Sequence, residues 1–316
     1  MVKTLVVALG GNAIKKSGEW GTAEEQLKNV GRTCGHILKI VNRGYRVVLT
    51  HGNGPQAGNL MIQQEEAKKI IPPQPLDVVG AMTEGQIGYM LQQTLTNCLG
   101  TESAPPVITV LTQVLVNKDD TAFRNPSKPV GPFYSKEEAQ KLTREKSYTI
   151  KKVKPTGEKP YRRVVPSPNP VEIFEKKIIR DLVDSGAVVI ACGGGGIPVI
   201  KRENGTLEGV EAVVDKDLAG ERLGVVVGAD TFLILTDIEK VKLNYGKTNE
   251  KDLDSMSVVD AKKYLKEGRF PEGSMKSKIL SCIRFLESGG HEAIITSLEM
   301  ASEALDGKTG TRIFRN

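Results

Sequence analysis

The sequence predicts an α/β protein in which helices cover both faces of a mainly parallel sheet. Six short runs are almost continuous Val, Ile and Leu, which is how a strand buried on both faces reads. Amphipathic stretches of helical spacing lie between them, and strand–helix alternation favours parallel pairing. Three glycine-rich turns follow strand runs, as expected where strands deliver a ligand site to one edge of such a sheet.

TLVVAL (4–9) is the first strand, and a helix opens at Thr22, with Glu25 at capping-box spacing. YRVVLT (45–50) is the second, followed by helical patterns over roughly 55–69 and 77–98. PVITVLTQVLV (106–116) reads as a single strand. Residues 117–170 then break the alternation, being rich in Pro, Lys and Arg and poor in periodic apolar positions. A structureless loop of that length is uncommon in a compact domain, so a small projecting subdomain is expected. A short helix should start in it at Ser135, with Glu138 three positions on. A helix over 171–185, a strand AVVIAC (187–192) and a helix over 217–227 come next. TFLILT (231–236), a helix over 257–267, another starting near Ser274 and EAIITS (292–297) complete the pattern.

The 316 residues permit one large domain or two ordinary ones, and 39% hydrophobic with 26% charged residues is ordinary for a water-soluble chain. Aromatics make up 5%, with Trp20 the single tryptophan, which argues against a stacking platform for nucleic-acid bases. The basic run KKVKPTGEKPYRR (151–163), with only Tyr148 and Tyr161 nearby, reads as a solvated face, and no nucleic-acid partner is expected. No apolar run approaches the ~20 residues of a membrane span and no signal-peptide pattern opens the chain, so a cytoplasmic protein is expected. Cys34, Cys98, Cys192 and Cys282 are scattered and read as reduced thiols, and His36, His51 and His291 form no metal-ligand spacing. A net charge of +6 suits an anionic small substrate without demanding one.

LGGN (9–12), HGNGPQAG (51–58) and CGGGG (192–196) all fall on the predicted ligand edge. Helix N-termini there offer free N–H groups and a positive dipole end, and glycine lets an anion approach the backbone. Together they favour a phosphate site. A Walker loop is absent: SEALDGKT (302–309) has Ser302 where its first glycine belongs, and Gly307 reads as a helix stop. GNGPQA (52–57) satisfies a dinucleotide fingerprint, but the required acid would be Asp77, after the proline-broken IIPPQPL.

Phosphoryl transfer needs positive charge around the migrating group, so cations should stand near these glycines. In VEAVVDKDLAG (210–220), Lys216 lies between Asp215 and Asp217 where a helix begins; Asp217 also suits an N-cap. In EGSMKSKILSCIRFL (272–286), Ser274 is the expected cap, and Lys276 and Lys278 flank the stripe Met275, Ile279, Cys282, Ile283 and Leu286 on opposite sides. Spacing does not choose between the two lysines. In NPSKPVGPF (125–133), prolines on both sides stiffen the loop that carries Lys128.

The segments VVALGGNAI, THGNGPQAGNL, LTQVLV, NPSKPVGPF, VVPSPNP, CGGGGIPV, GVEAVVDKDLA, LILT, NYGK, EGSMKSK and AIITSLE, in this order, resemble those of the carbamate kinases of the amino-acid-kinase superfamily. The likeness runs nearly end to end. It implies a three-layer α/β/α sandwich around an open, mostly parallel eight-stranded sheet, forming one domain over 1–316. An N-terminal lobe (about 1–186) would hold the phosphoryl acceptor and include a lid at about 117–170, and a C-terminal lobe (about 187–316) would hold ATP. The implied reaction is ATP + carbamate ⇌ ADP + carbamoyl phosphate, with Mg²⁺ carried mainly by the nucleotide, in a homodimer, usually run toward ATP at the end of arginine breakdown.

The same resemblance assigns roles. Gly10, Gly11 and Asn12 would line the phosphate track, and Gly52, Asn53 and Gly54 would hold the acceptor and the transferred phosphoryl. Gly193, Gly194, Gly195 and Gly196 would form part of the phosphate-facing wall. Lys128 would close over the carbamoyl group, and Lys216 and Lys278 would neutralise transition-state charge, oriented by Asp217 with Asp215 beside it. Asp237, Tyr245 and Met275 would border the nucleotide. Two positions depart from the family pattern: Ser277 stands before Lys278 where a proline is expected, and Asn169 stands where a lysine is common. Carbamate hydrolyses readily, so a lid that excludes water has a clear purpose. Kinases of the same superfamily acting on other acceptors, a catalytically silent nucleotide-binding regulator and a dinucleotide-binding oxidoreductase are the alternatives. The NPSKPVGPF insertion favours the carbamate kinases.

Overall fold

In the computed structural model, which describes residues 2–100, 104–146, 148–270 and 273–315, TLVVAL lies at the centre of the molecule. None of its six residues is more than 6% exposed. The strands are β1 (Thr4–Leu9), β2 (Arg46–His51), β3 (Val107–Thr109), β4 (Gln113–Val116), β5 (Lys128–Tyr134), β6 (Ile150–Lys152), β7 (Tyr161–Val165), β8 (Pro170–Ile173) and β9 (Val188–Ile190). They continue with β10 (Ile197–Lys201), β11 (Leu207–Gly209), β12 (Thr231–Thr236), β13 (Val241–Leu243), β14 (Lys251–Leu253), β15 (Ser255–Ser257), β16 (Glu292–Ser297) and β17 (Thr311–Phe314). The helices are α1 (Ala23–Val41), α2 (Gly54–Ala67), α3 (Leu76–Leu99), α4 (Lys136–Lys146), α5 (Lys176–Asp184), α6 (Lys216–Val226), α7 (Val258–Lys266), α8 (Ser274–Glu287) and α9 (Ala301–Leu305).

Eight strands form the main sheet in the order β15-β17-β16-β12-β1-β2-β9-β3. From β16 to β3 every pairing is parallel; β17 runs antiparallel to β16, and β15 is parallel to β17. Alternation sends side chains to two cores. Val6, Ala8, Val48, Phe232 and Ile234 pack with α5, α6, α7 and α8, while Leu5, Val7, Leu9, Leu49 and Leu233 pack with α1, α3 and α9. This is the expected α/β/α sandwich with its mostly parallel eight-stranded sheet.

Local signals placed several ends correctly. Thr22 and Glu25 cap α1 reciprocally, and Ser135 and Glu138 do the same for α4 (Ser135 N–H to Glu138 Oε2, 2.7 Å; Glu138 N–H to Ser135 Oγ, 3.2 Å). Gly307, at φ 76°, follows α9 as a helix stop. In the projecting segment, β5, β7 and β6 make a three-stranded antiparallel sheet backed by α4. Its Val130 and Val165 pack on Leu76 and Met61, so the subdomain sits on α2 and the start of α3.

Other expectations are corrected. The run at 106–116 is two strands in different sheets, β3 in the main sheet and β4 in the order β11-β10-β4-β8. The break is at buried Thr112, whose N–H donates to Glu84 Oε2 (3.0 Å) and whose Oγ1 donates to the Val110 carbonyl (2.8 Å). The helix expected over 171–185 begins at Lys176, because residues 170–173 pair with β4 as β8. Gly273, at φ 107°, takes the cap position of α8 that was assigned to Ser274. The main sheet continues across residue 186, with β9 between β2 and β3. Among the described residues no helix is long and apolar enough to cross a membrane.

Candidate active site

The parallel strands β1, β2, β9 and β12 end along one edge of the main sheet. At the end of β1, Gly10 N–H donates to the Leu235 carbonyl (2.8 Å), and Gly11 opens a short 3₁₀ turn with exposed Asn12 in it. At the end of β2, Gly52 N–H donates to the Leu9 carbonyl (3.1 Å). A Cβ on Gly52 would stand 3.2 Å from Lys216 Cδ, so the absent side chain is what lets the Lys216 stem pass. Asn53 occupies the cap position of α2, Gly54 begins the helix with Pro55 in its first turn, and Asn53 Nδ2 donates to Thr83 Oγ1 (2.8 Å).

The tetraglycine follows β9 as a tight, buried turn. Its space is taken by the protein itself. A Cβ on Gly193 would meet His51 Nε2 at 2.4 Å, and one on Gly194, at φ 66°, would meet Asn53 Nδ2 at 2.2 Å. The Val214 carbonyl and the Val114 side chain crowd Gly195 and Gly196 in the same way. Only glycine lets this turn lie against the ends of β2 and α2 on one side and the entry to α6 on the other.

That entry carries the charge. α6 is capped by Asp215, whose Oδ1 accepts from the Asp217 N–H (3.0 Å), so the cap is Asp215 and not Asp217. Asp217 lies in the first helical turn, where a negative charge suits the helix dipole. Its Oδ1 accepts from Lys216 Nζ (2.5 Å) and its Oδ2 from Lys278 Nζ (3.0 Å). Lys128 reaches across from β5 to Asp215 Oδ2 (3.1 Å). The three lysines singled out in the sequence therefore converge on two aspartates at one helix N-terminus. The open choice on α8 resolves as well: Lys278 is 5% exposed and bonded to Asp217, whereas Lys276 is exposed.

The electrostatics follow from enclosure. Burial alone would raise the Asp217 carboxyl, but Lys216 and Lys278 outweigh it and hold it below the usual carboxylate range. Burial draws the Lys216 ammonium below the usual lysine range, with Asp217 pulling the other way. Asp237 follows β12 and accepts from Thr236 Oγ1 (3.0 Å). Tyr245 lies exposed between β13 and β14, and Met275 sits in the first turn of α8 against the core.

Two buried polar groups beside these residues were not singled out in the sequence. His51, 1% exposed, is pushed down to about 4 by burial, with Lys216 adding to the shift, so its ring is neutral. Glu84 on α3 is 2% exposed and is pushed up to about 8 by burial. The legible signal for Glu84 was its place on the apolar stripe of α3, in line with Ile87, Leu91 and Leu95.

A helix N-terminus, strand-end backbone amides and a cluster of held ammonium groups, set on an α/β/α sandwich, define a protein built to handle phosphoryl groups. The chain belongs to the amino acid kinase family, whose profile matches residues 3–297. It is 54% identical to the carbamate kinase of Thermococcus kodakarensis over 320 aligned residues, covering 99% of this chain and 100% of the relative. It is 51% identical to the carbamate kinase of Pyrococcus furiosus, over 99% of each chain. In structure it is similar to carbamate kinase from Giardia lamblia bound to AMP-PNP, with a TM-score of 0.93 and 42% identity over 100% of this chain and 99% of that one.

Proposed function

We infer that the chain is a carbamate kinase, transferring a phosphoryl group between ATP and carbamate with carbamoyl phosphate as the product or substrate. The observation that carries this reading is the junction of Lys128, Lys216 and Lys278 through Asp215 and Asp217 at the N-terminus of α6. Such a transfer needs in-line positioning and compensation of charge on the migrating group and leaving oxygen, and little covalent chemistry. Asp217 holds Lys216 and Lys278 in fixed directions, so their charge is in place before the phosphoryl arrives. Gly10 and Gly52, whose own amides are held by the Leu235 and Leu9 carbonyls, line the track; backbone amides of residues 11–12 and 53–54 receive the anionic oxygens, and the tetraglycine turn keeps Asn53 and the entry to α6 in register.

Lys128 belongs to the subdomain, and its side chain is 40% exposed although it already reaches Asp215. It is assigned to close over the carbamoyl group, with the subdomain shielding labile carbamate from water. The nucleotide is assigned to the C-terminal part of the sheet edge, near Asp237, Tyr245 and Met275. Among the described residues no group of three or more His, Cys, Asp or Glu side chains could hold a metal. Asp215 and Asp217 are already engaged by lysines, so Mg²⁺ is assigned to arrive with the nucleotide as MgATP or MgADP. A cytoplasmic homodimer making ATP from carbamoyl phosphate completes the reading. The oxidoreductase alternative is not favoured: its acidic residue, Asp77, lies in the first turn of α3 and not at a strand end.

The test is ATP formation from ADP and carbamoyl phosphate with Mg²⁺ present and absent. Mg²⁺-dependent ATP formation is expected. Failure to make ATP, together with NADH binding followed by fluorescence, would overturn the assignment.

A further inference from the structure

Behind the proposed acceptor site, α3 presents a carboxyl group where its apolar stripe should continue. Glu84 lies beside Thr83, which holds Asn53, and its Oε2 accepts the Thr112 N–H (3.0 Å). Its Cγ stands 3.0 Å from where a Cβ of Gly193 would be, next to the His51 ring. Its other oxygen, Oε1, is buried and has no hydrogen-bond partner. Thr112 in turn holds the backbone at the head of the tetraglycine, accepting the Cys192 N–H at Oγ1 (3.0 Å). Cys192 sits at φ 55°, a conformation that surrounding contacts must enforce in a residue other than glycine.

The groups that face this carboxyl offer it no countercharge. From β2 comes His51, neutral through burial. From the residue before α5 comes Glu175, a like charge, and from the tetraglycine turn the enclosed Cys192 thiol. The Thr112 and Gly193 amides favour ionisation, but burial outweighs them and pushes the carboxyl up to about 8. The site itself is meant for anions, one turn of backbone away.

We propose that Glu84 is a positioning residue that works as a neutral acid, tying α3 to Thr112 and the tetraglycine turn, and that its ionisation in alkaline solution weakens binding of carbamoyl phosphate. The proposal rests on the carbamate kinase reading. An ionised Glu84 would leave an unpaired charge behind Asn53 and Gly193. The turn must then shift to admit water, or the dianionic ligand must be repelled; both act on the acceptor side and spare the nucleotide.

The experiment measures kcat/KM for carbamoyl phosphate with saturating MgADP between pH 6.5 and 10, in the wild type and in Glu84→Gln. The phosphate group, with a second pKa of about 6, is fully ionised across most of this range. The wild type is expected to fall tenfold per pH unit above about 8, the slope of a single proton. Gln keeps the shape and an acceptor for Thr112 but cannot ionise. Its alkaline midpoint should therefore lie at least one pH unit higher. The KM for MgADP should not follow the Glu84 midpoint in either.

A midpoint unmoved in Glu84→Gln, or a wild type that stays flat to pH 9.5, overturns the proposal alone. No ATP from either protein at any pH overturns the kinase reading and this proposal with it. Should the variant fail to fold, the wild-type urea midpoint decides. It must fall between pH 7.5 and 8, where His51 has lost its proton in the folded and almost wholly in the unfolded state and a protonated Glu84 is being lost; a flat or rising curve overturns the proposal.

Discussion

Replacing Asp217 by Asn removes one negative charge and almost no volume. In the structure that charge is shared by two ammonium groups, Lys216 at 2.5 Å and Lys278 at 3.0 Å. The Lys278 side chain is 6% exposed and the Asp217 side chain 3%, so water cannot take over the lost role. If only hydrogen bonding mattered, the amide oxygen would keep one partner and the loss would be about 0.5–1.5 kcal/mol. If the charge matters, the substitution strands a buried cation, and breaking such a pair from one side costs about 3–5 kcal/mol. The structure favours the second figure, because Lys278 is buried with its ammonium on Asp217.

Urea denaturation of the wild type, Asp217→Asn, Lys278→Met and the double variant separates the two accounts. Asp217→Asn should lose about 3–5 kcal/mol at pH 7. Lys278→Met should cost less, since Asp217 keeps Lys216, and when combined with Asp217→Asn it should restore part of the stability by removing one of the two stranded ammonium groups. A coupling of at least ~1.5 kcal/mol is expected from the cycle. The pH dependence has a fixed sign. The folded carboxyl is held below its unfolded value, so its contribution is complete above about pH 4–5 and is lost as pH falls through the folded value. The gap between wild type and Asp217→Asn should hold from pH 7 to 5 and close in stronger acid. Additive single losses within ~0.5 kcal/mol, or a cost under ~1.5 kcal/mol for Asp217→Asn, would refute the argument.

Gly194→Ala places a methyl 2.2 Å from Asn53 Nδ2 at φ 66°. Left-handed strain of about 1–2 kcal/mol plus loss of the Asn53–Thr83 hydrogen bond should destabilise by about 2–3 kcal/mol, and a wild-type urea midpoint with full activity would contradict it. Lys128→Ala and Lys216→Ala should each slow ATP formation by ~10²–10³-fold, the scale of one stabilising donor; less than a threefold loss at Lys216 removes it from the mechanism. Glu84, raised from an unfolded value near 4.5 to about 8, stabilises while protonated. Wild-type stability measured relative to Glu84→Gln should fall by roughly 3–5 kcal/mol in all between those pH values, at about 1.4 kcal/mol per unit. A constant difference would mean that the carboxyl titrates normally.

The fold was legible where its cause is local or repeated. β1, β12 and β16 are six-residue runs covered on both faces, so each reads as a strand without its neighbours. The caps of α1 and α4 were readable because both partners lie within three residues. β10, β11, β13, β14, β15 and β17 are three to five residues long, too short for alternation to stand out. The apolar run at 106–116 carries no internal mark of its division, because the hydrogen bond that turns it at Thr112 comes from Glu84, 28 residues earlier. Residues 170–173 became a strand because β4, the strand they pair with, already lay there.

The candidate site shows the same division between kinds of cause. Four glycines in succession announce that something approaches the backbone, and the expectation was a ligand. What crowds the turn is the protein's own His51, Asn53, Val114 and Val214, brought from three distant segments. Lys276 and Lys278 flank their stripe symmetrically, and Asp217, 61 residues from Lys278, shows which of them is drawn to the α6 N-terminus. Asp217 is in turn fixed by a helix that Asp215 caps, so the order of causes runs from a local cap, to a placed carboxylate, to the direction of two ammonium groups. A sequence displays the first of these, because it needs only neighbours in the chain. The later steps depend on how α6 and α8 pack, and a reader of residues alone can name the lysines without knowing which way they point.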